Sequence, residues 1–474
     1  KELKKGPVLI ARELALSIKA KDPVEKIEAH GAYVNFFLNK DRLAAAVIEK
    51  VASEKEKYGQ SDIGAGNTIL VEYSSPNIAK PLGIHHLRST VIGESVKRIS
   101  SFSGYKTESI NHLGDWGTQF GQLLYAHKTW GDEKRLDTEP MNYLLDIYVR
   151  FNNELERDPT LQERARERFK QLEDGDPEAV ALWKRFRDVS MREFERVYAT
   201  LGITFDHTLG EQFYIDKIPR KELEAKGLLQ ESEGALIVDL KAYSMPPFIF
   251  QKSDEASTYH ARDLAAALYR LKTHNPARVL YVVGHQQELH FNQLFKVLAL
   301  LGLPTDTFVH VAFGMLRMAE GKLSTRKGQI IFMEDVLNEA VTLARKIIDK
   351  KNPDLTDKDA VAKQIGIGAV VFGDLVNARN RDVLFDWDKI LDFEGDTGPY
   401  VQYTHARASS LLAKAGRDVG WKSGVTIDAT HLNQPEEHAL VRSLDGFSGA
   451  INQSLQQYKP HHVAQHLLQL CRAF

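Results

Sequence analysis

The sequence predicts an α/β protein built on a parallel sheet, with a mainly helical insertion, a small α/β module ahead of it and an all-helical portion behind it. Three observations carry this. Asn67 to Leu113 reads as strand, helix and strand, a βαβ unit whose strands must be parallel. Val279-Leu280-Tyr281-Val282-Val283-Gly284 is an apolar run ended by glycine, as suits a strand covered on both faces. Val336, Leu337, Ala340, Val341, Ala344, Ile347 and Ile348 recur with helical period.

The elements follow in order. In residues 1–60, Val8, Ala11, Leu14 and Ile18 mark a helix, Tyr33 to Leu38 a strand, and a second helix leads to a charged stretch and a Gly-rich turn. Residues 61–124 open the sheet: Ile69, Val71 and Tyr73 alternate as in a strand, and Leu87, Val91, Ile92, Val96 and Ile99 make a helix that Gly104 stops. Residues 125–233 are mostly charged helix, with an apolar stripe at Leu182, Phe186, Val189, Phe194 and Val197. The α/β pattern resumes over 234–335, with strands at 236–240, 248–250, 279–284 and 308–313 and a helix at 262–274. Residues 336–474 are expected to form a helical domain.

Composition narrows the function classes. The chain has 474 residues and a formal net charge of −2, so any nucleic-acid partner must use local basic surface rather than an overall field. Its single cysteine, Cys471, excludes an intramolecular disulfide and a Cys-rich zinc site, which fits a reducing compartment. No apolar stretch reaches the ~20 residues that span a bilayer. Neither an initiator Met nor a capping signal marks the ends, and the chain is expected to be a portion of a longer protein.

Two distant segments carry the chemistry. In Glu72-Tyr73-Ser74-Ser75-Pro76-Asn77, a strand ends in a small-residue turn, and a helix opens near His85 and His86. Free N–H groups and the helix dipole there attract phosphate, and an imidazole can follow charge that grows in a transition state. The second segment is Gly321-Lys322-Leu323-Ser324-Thr325-Arg326-Lys327-Gly328, whose cations can neutralise a leaving pyrophosphate. Taken singly, the histidines read as helix caps and the loop as a solvated turn. Together they suit a triphosphate held from two sides.

As a pair, the segments resemble the His-Ile-Gly-His and Lys-Met-Ser-Lys-Ser signatures of class I aminoacyl-tRNA synthetases. Ser74 to Pro81, His86-Leu87-Arg88-Ser89-Thr90, Gly114-Asp115-Trp116-Gly117-Thr118-Gln119-Phe120-Gly121 and Asp396-Thr397-Gly398-Pro399-Tyr400-Val401-Gln402-Tyr403 look like the arginyl-tRNA synthetase family, over nearly the whole chain. The resemblance implies a Rossmann-like catalytic domain with a helical insertion, an all-α anticodon-binding domain and an N-terminal α/β module that meets the tRNA elbow, the outer two shortened. It implies ATP with Mg2+, L-arginine and tRNA(Arg) as substrates, no resident metal, a monomer and a cytoplasmic home.

Roles carry over residue by residue. His85, His86, Lys322, Ser324, Arg326 and Lys327 match catalytic positions, and Lys80, Gly83, His85, His86 and Lys322 match positions that meet ATP. Glu72 and Asp263 match the carboxylates that hold the substrate guanidinium, a planar cation with five donors that suits a carboxylate fork. Tyr259, one helical turn before Asp263, packs against it, and Asn77 and Gln287 orient its amino-acid end. Arg379, Arg381, Tyr400, Tyr403, His405 and Arg407 are candidates for tRNA contact, although Tyr400 and Tyr403 equally suit packing between helices.

The first signature departs from the family. Gly83 stands where the pattern has His, and His85 where it has Gly. Loss of one phosphate donor costs ~2–4 kcal/mol of transition-state stabilisation if nothing replaces it. His85 either obstructs adenine or reaches the phosphates in its place. Two rival readings follow: a catalytically impaired arginine- or tRNA-binding protein, and a nucleotidyltransferase on the same sheet.

Overall fold

The computed structural model describes residues 5–253, 257–318, 331–420, 422 and 428–474. They divide into two compact units. One comprises the described residues of 1–60, 400–453 and 462–474, the other those of 61–399 and 454–461.

The larger unit is organised by a five-stranded parallel sheet in the order Phe308–His310, Arg278–Tyr281, Thr68–Glu72, Lys106–Asn111, His207–Thr208. Ile69, Leu70 and Val71 are buried, as are Val279, Leu280 and Tyr281, which is why these strands read as apolar runs rather than alternations. Side chains alternate across the sheet. Ile69 and Val71 pack into the core shared with the helical insertion. Leu70 and Val279 pack into a second core with the helices Tyr259–His274 and Glu288–Leu300. Glu72 has the parity of Leu70 and faces that second side.

The insertion is a group of helices, among them Thr118–Trp130, Pro140–Arg157, Leu161–Glu173 and Pro177–Leu201. Their ends follow local rules: Pro140 and Pro177 sit in the first turn, the Asp176 carboxylate accepts from the Ala179 N–H, and Gly202 closes the last helix in the left-handed conformation. Gly121 meets the helix Leu161–Glu173 so closely that a Cβ would fall 2.1 Å from the Ala165 carbonyl oxygen.

Two expectations change. The strands near 236–240 and 248–250 do not enter the parallel sheet. Leu229–Ser232, Ala235–Val238 and Phe248–Gln251 form a separate antiparallel sheet. The cause is local: Glu233 and Gly234 both have positive φ (51° and 78°), a two-residue hairpin turn that forces antiparallel pairing. Nor does the helical portion separate at residue 336. The stripe of Met333–Lys351 supplies Val336, Leu337, Ala340, Ala344 and Ile348 to the main core, and Lys358–Leu375 packs against it in the larger unit.

The smaller unit holds the helix Pro7–Ser17, a hairpin of Val24–His30 and Tyr33–Leu38, the helix Lys40–Glu54 and C-terminal helices including Pro435–Asp445. Ala44, Val47, Ala429 and Val441 form its small core. The strand Val24–His30 is additional to those expected.

The helix His85–Phe102 is pinned beneath the sheet ends by side chains of its own first turns. Arg88 is fully buried, 2.7 Å from Asp374, and donates to the carbonyls of Gly314 and Arg381. The Ser89 hydroxyl donates to the Val282 carbonyl and accepts from the Ser74 N–H, and Thr90 donates to the Ser74 hydroxyl. Removing one member of a buried ion pair strands the other. Arg88→Ala should therefore destabilise the larger unit by about 3–5 kcal/mol in denaturant unfolding. A loss below about 1 kcal/mol would show that Asp374 is not stranded.

Candidate active site

The crevice lies outside the carboxyl ends of Thr68–Glu72 and Arg278–Tyr281, where chain connections leave the sheet in opposite directions, the usual binding position in such folds. Glu72 closes the central strand, flanked by Ile110 and Tyr281. It is buried, and its carboxylate lies 2.5 Å from the Arg270 guanidinium. Arg270 is itself enclosed, over the rings of Tyr281 (5.4 Å) and Tyr214 (6.0 Å). Burial works against its charge, but Glu72 raises its pKa well above the ordinary guanidinium value.

Asp263 lies in the first turns of Tyr259–His274, on the same helix face as Arg270 seven residues on. One of its oxygens accepts from His290 Nε2 at 2.7 Å, and the other faces His112 Nε2 at 3.5 Å. Burial alone would raise the Asp263 pKa. His112 and His290 outweigh it and hold the carboxyl well below its usual range. Burial likewise opposes charge on His112, but Asp263 and Glu72 raise it above the ordinary imidazole value. His112 Nδ1 is also 3.4 Å from Arg270. Tyr259 stands half exposed at the start of the helix, its ring 4.0 Å from His260 and 5.0 Å from His290 between centroids.

The structure thus brings Glu72, Asp263 and Tyr259 into one cluster and adds Arg270, His112 and His290, which sequence reasoning missed. Arg270 repeats at i+7 from Asp263, and His112 directly follows a sheet strand at its carboxyl end. Both were findable signals. Asn77 is exposed and bridges to Gly114, where a Cβ would meet the Asn77 side chain. Gln287 is exposed in the short turn before Glu288–Leu300.

The corner expected to meet phosphate lies at the start of His85–Phe102. His85 is exposed, and the His86 ring sits 4.0 Å from it. Burial and the neighbouring His85 push the His86 pKa down to about 3, so this imidazole is neutral at physiological pH. Its buried Nδ1 has no hydrogen-bond partner among the described residues. Gly83 bridges to Phe332, and the Ile84 N–H donates to the Ile331 carbonyl at 2.8 Å. The chain that follows the basic segment is therefore fixed against the first signature. Lys322, Ser324, Arg326 and Lys327 themselves lie outside the described residues. Lys80 sits over the Tyr148 ring at 4.7 Å, and a cleft of about 510 Å³ opens nearby, lined by Pro81, Leu82, Arg196, Phe332 and Glu334 among others.

Residues 47–387 match the family model for the catalytic domain of class I (R) tRNA synthetases, 401–474 the DALR anticodon binding domain, and 1–38 the arginyl tRNA synthetase N-terminal domain. The arginine–tRNA ligase of Clostridium perfringens is 49% identical over 477 aligned residues that cover all of this chain and 84% of that protein. The chain belongs to the arginyl-tRNA synthetase family. The Clostridium acetobutylicum arginine–tRNA ligase is 48% identical with the same coverage. Among solved structures, Thermus thermophilus arginyl-tRNA synthetase matches with a TM-score of 0.81 at 27% identity, covering 100% of this chain and 83% of that one. The Plasmodium falciparum enzyme matches with 0.81 at 25% identity, covering 98% and 81%.

The residues expected at an arginyl-tRNA synthetase RNA surface divide. Tyr403, His405 and Arg407 are exposed on the helix Gly398–Asp418, with Tyr400 partly buried, and Arg381 is exposed. Arg379 is committed elsewhere. Its guanidinium donates to the carbonyls of Tyr458 (2.8 Å), Gln457 (3.3 Å) and Ala312, so its donors hold the fold together rather than facing outward.

Glu211, at the edge of the cluster, is 3.3 Å from Arg262 and mostly covered. Burial outweighs Arg262 and raises its pKa from 4.5 to about 7. Between those values the unfolded chain releases this proton while the folded chain keeps it, so stability falls as pH rises through the window and is level above it. Glu211→Gln should remove roughly 3 kcal/mol of that fall between pH 4.5 and 7 in paired unfolding titrations. Parallel pH profiles for the two proteins would count against the burial argument.

Proposed function

We propose that this chain is an arginine–tRNA ligase that activates L-arginine with ATP and passes the arginyl group to tRNA(Arg). The observation that supports it most is the mostly buried Glu72–Arg270–His112–Asp263 cluster, with Tyr259 at its rim, together with a helix start to which Ile331 and Phe332 are tied.

In the first step a carboxylate oxygen of arginine attacks the α-phosphate of ATP, the bond to the β-phosphate breaks, and arginyl-adenylate and pyrophosphate result. A hydroxyl of the terminal tRNA ribose then attacks the acyl carbon and AMP leaves. The protein's contribution is placement and charge stabilisation. Glu72 and Asp263 face the guanidinium, Tyr259 covers it, and Asn77 and Gln287 orient the reacting end. Neutral His86, with Lys80 and the backbone at Gly83, meets the phosphates. His85 occupies the same corner and takes the place of the donor that Gly83 lacks. Lys322, Ser324, Arg326 and Lys327 complete it from the basic segment. ATP enters as its magnesium complex, with the ion part of the nucleotide substrate. Arg381, Tyr400, Tyr403, His405 and Arg407 contact the RNA. The protein acts as a monomer in the cytoplasm. Among the described residues no helix is long and apolar enough to cross a membrane.

Arginine-dependent pyrophosphate–ATP exchange tests the reading. Exchange requiring both arginine and tRNA is expected, and its absence from folded protein would refute it. In the same assay Asp263→Asn should lower kcat/KM for arginine roughly 30- to 5,000-fold, the cost of removing one partner of a buried charge contact. The KM for ATP should stay close to that of the unaltered chain.

The charges predict a pH dependence. Glu72 and Asp263 carry two negative charges, and Arg270 balances one. The other is met by the His112 proton in the empty site and by the substrate guanidinium in the filled one. Arginine binding should therefore expel that proton, and KM for arginine should fall as pH rises through the His112 titration, above the ordinary imidazole value. His112→Gln should flatten this profile. An unchanged slope in that variant would assign the effect to another group.

A further inference from the structure

We propose that Glu108, His207 and His274 form a binding site for a zinc-type divalent ion at the edge of the sheet away from the crevice. The three side chains come from three rigid elements. Glu108 lies within the strand Lys106–Asn111, His207 starts the short edge strand paired to it, and His274 ends the helix Tyr259–His274. Asn275 then turns the chain in the left-handed conformation toward the next strand, which fixes where His274 stands.

Both imidazoles converge on one carboxylate oxygen. Glu108 Oε2 is 3.0 Å from His207 Nε2 and 2.8 Å from His274 Nδ1, and the three ligand atoms all lie within 4.8 Å of one another. Among the described residues no other group of His, Cys, Asp or Glu has metal-ligand spacing. A tetrahedral ion ~2.0–2.2 Å from nitrogen and oxygen ligands holds those atoms about 3.3–3.5 Å apart, so small side-chain shifts suffice. Simple ion pairing leaves the arrangement unexplained. Lys106 Nζ already meets the other Glu108 oxygen at 2.8 Å, yet two imidazoles still aim at Oε2. His274 and Glu108 are mostly covered, and His207 is one-third exposed, which leaves a side open for water as a fourth ligand.

The ligand set selects the ion. Two imidazoles and a single carboxylate oxygen favour zinc and its neighbours over magnesium, which demands a shell of oxygens. Asp263 is eleven residues up the same helix from His274, roughly 17 Å along its axis. An ion here would clip the far end of the helix that carries Tyr259, Asp263 and Arg270 to the sheet edge.

The test is zinc binding to the full chain, freed of metal by a chelator and kept in magnesium buffer, measured by competition with a fluorescent zinc indicator. One tight equivalent is expected, with a rise in unfolding midpoint on adding zinc. His207→Ala/His274→Ala should weaken that equivalent about 100-fold or more and abolish the rise, leaving arginine activation unchanged. If the double variant does not fold, Glu108→Gln keeps the shape and should weaken binding about tenfold. His431→Ala, an exposed histidine of the other unit, should change nothing. Absence of a tight equivalent, or one that survives these substitutions, would overturn the proposal.

Discussion

The larger unit depends on one awkward necessity: a carboxylate at the buried end of its central strand. Glu72 follows Ile69, Leu70 and Val71, which give the sheet its core, and parallel neighbours on both sides deny it water. A buried, unpaired charge would be expelled or neutralised. Arg270 prevents this, two helical turns beyond Asp263, so the helix that presents the second carboxylate also brings the counter-ion of the first. Tyr214 and Tyr281 then cover the guanidinium. In the proposed site one carboxylate is balanced permanently by Arg270 and the other, while the site is empty, by a proton on His112 that can leave.

The same economy explains the first signature. Under the proposed function its histidines meet the ligand, but the residues after them hold the protein together. Arg88, Ser89 and Thr90 tie the helix to Asp374, Val282 and Ser74, so the helix start keeps its position relative to the sheet ends. Ser74 and Ser75, both at positive φ, turn the strand sharply enough for those bonds to form. A departure at Gly83 and His85 changes groups at the rim and leaves this support intact.

Legibility in the sequence followed the range of the interactions. The βαβ unit, the helical insertion and the long helix after Phe332 were readable because runs and stripes of apolar residues encode them locally. Glu72 and Asp263 were readable only through the motifs around them. Val24–His30 was missed because charged residues interrupt its alternation on an exposed hairpin. The strands at 236–240 and 248–250 were read with the main sheet, and Leu229–Ser232 was not foreseen, because their pairing depends on a two-residue turn, Glu233-Gly234, and not on hydrophobicity.

Arg379 and Arg270 show the deeper limit. Both are arginines in positions that composition alone would assign to solvent or RNA. In the fold one holds three backbone carbonyls and the other a buried carboxylate. Their partners lie far along the chain: Ala312, Gln457 and Tyr458 for Arg379, Glu72 for Arg270. No local period reports such a pairing. What the sequence does carry is the covered side. Arg270 shares its helix face with the buried Ala266 and Ala267, and a cation on an apolar face requires a buried anion. That requirement, applied to Arg270, leads to Glu72, the carboxylate at the end of an apolar strand, and so to the pocket itself.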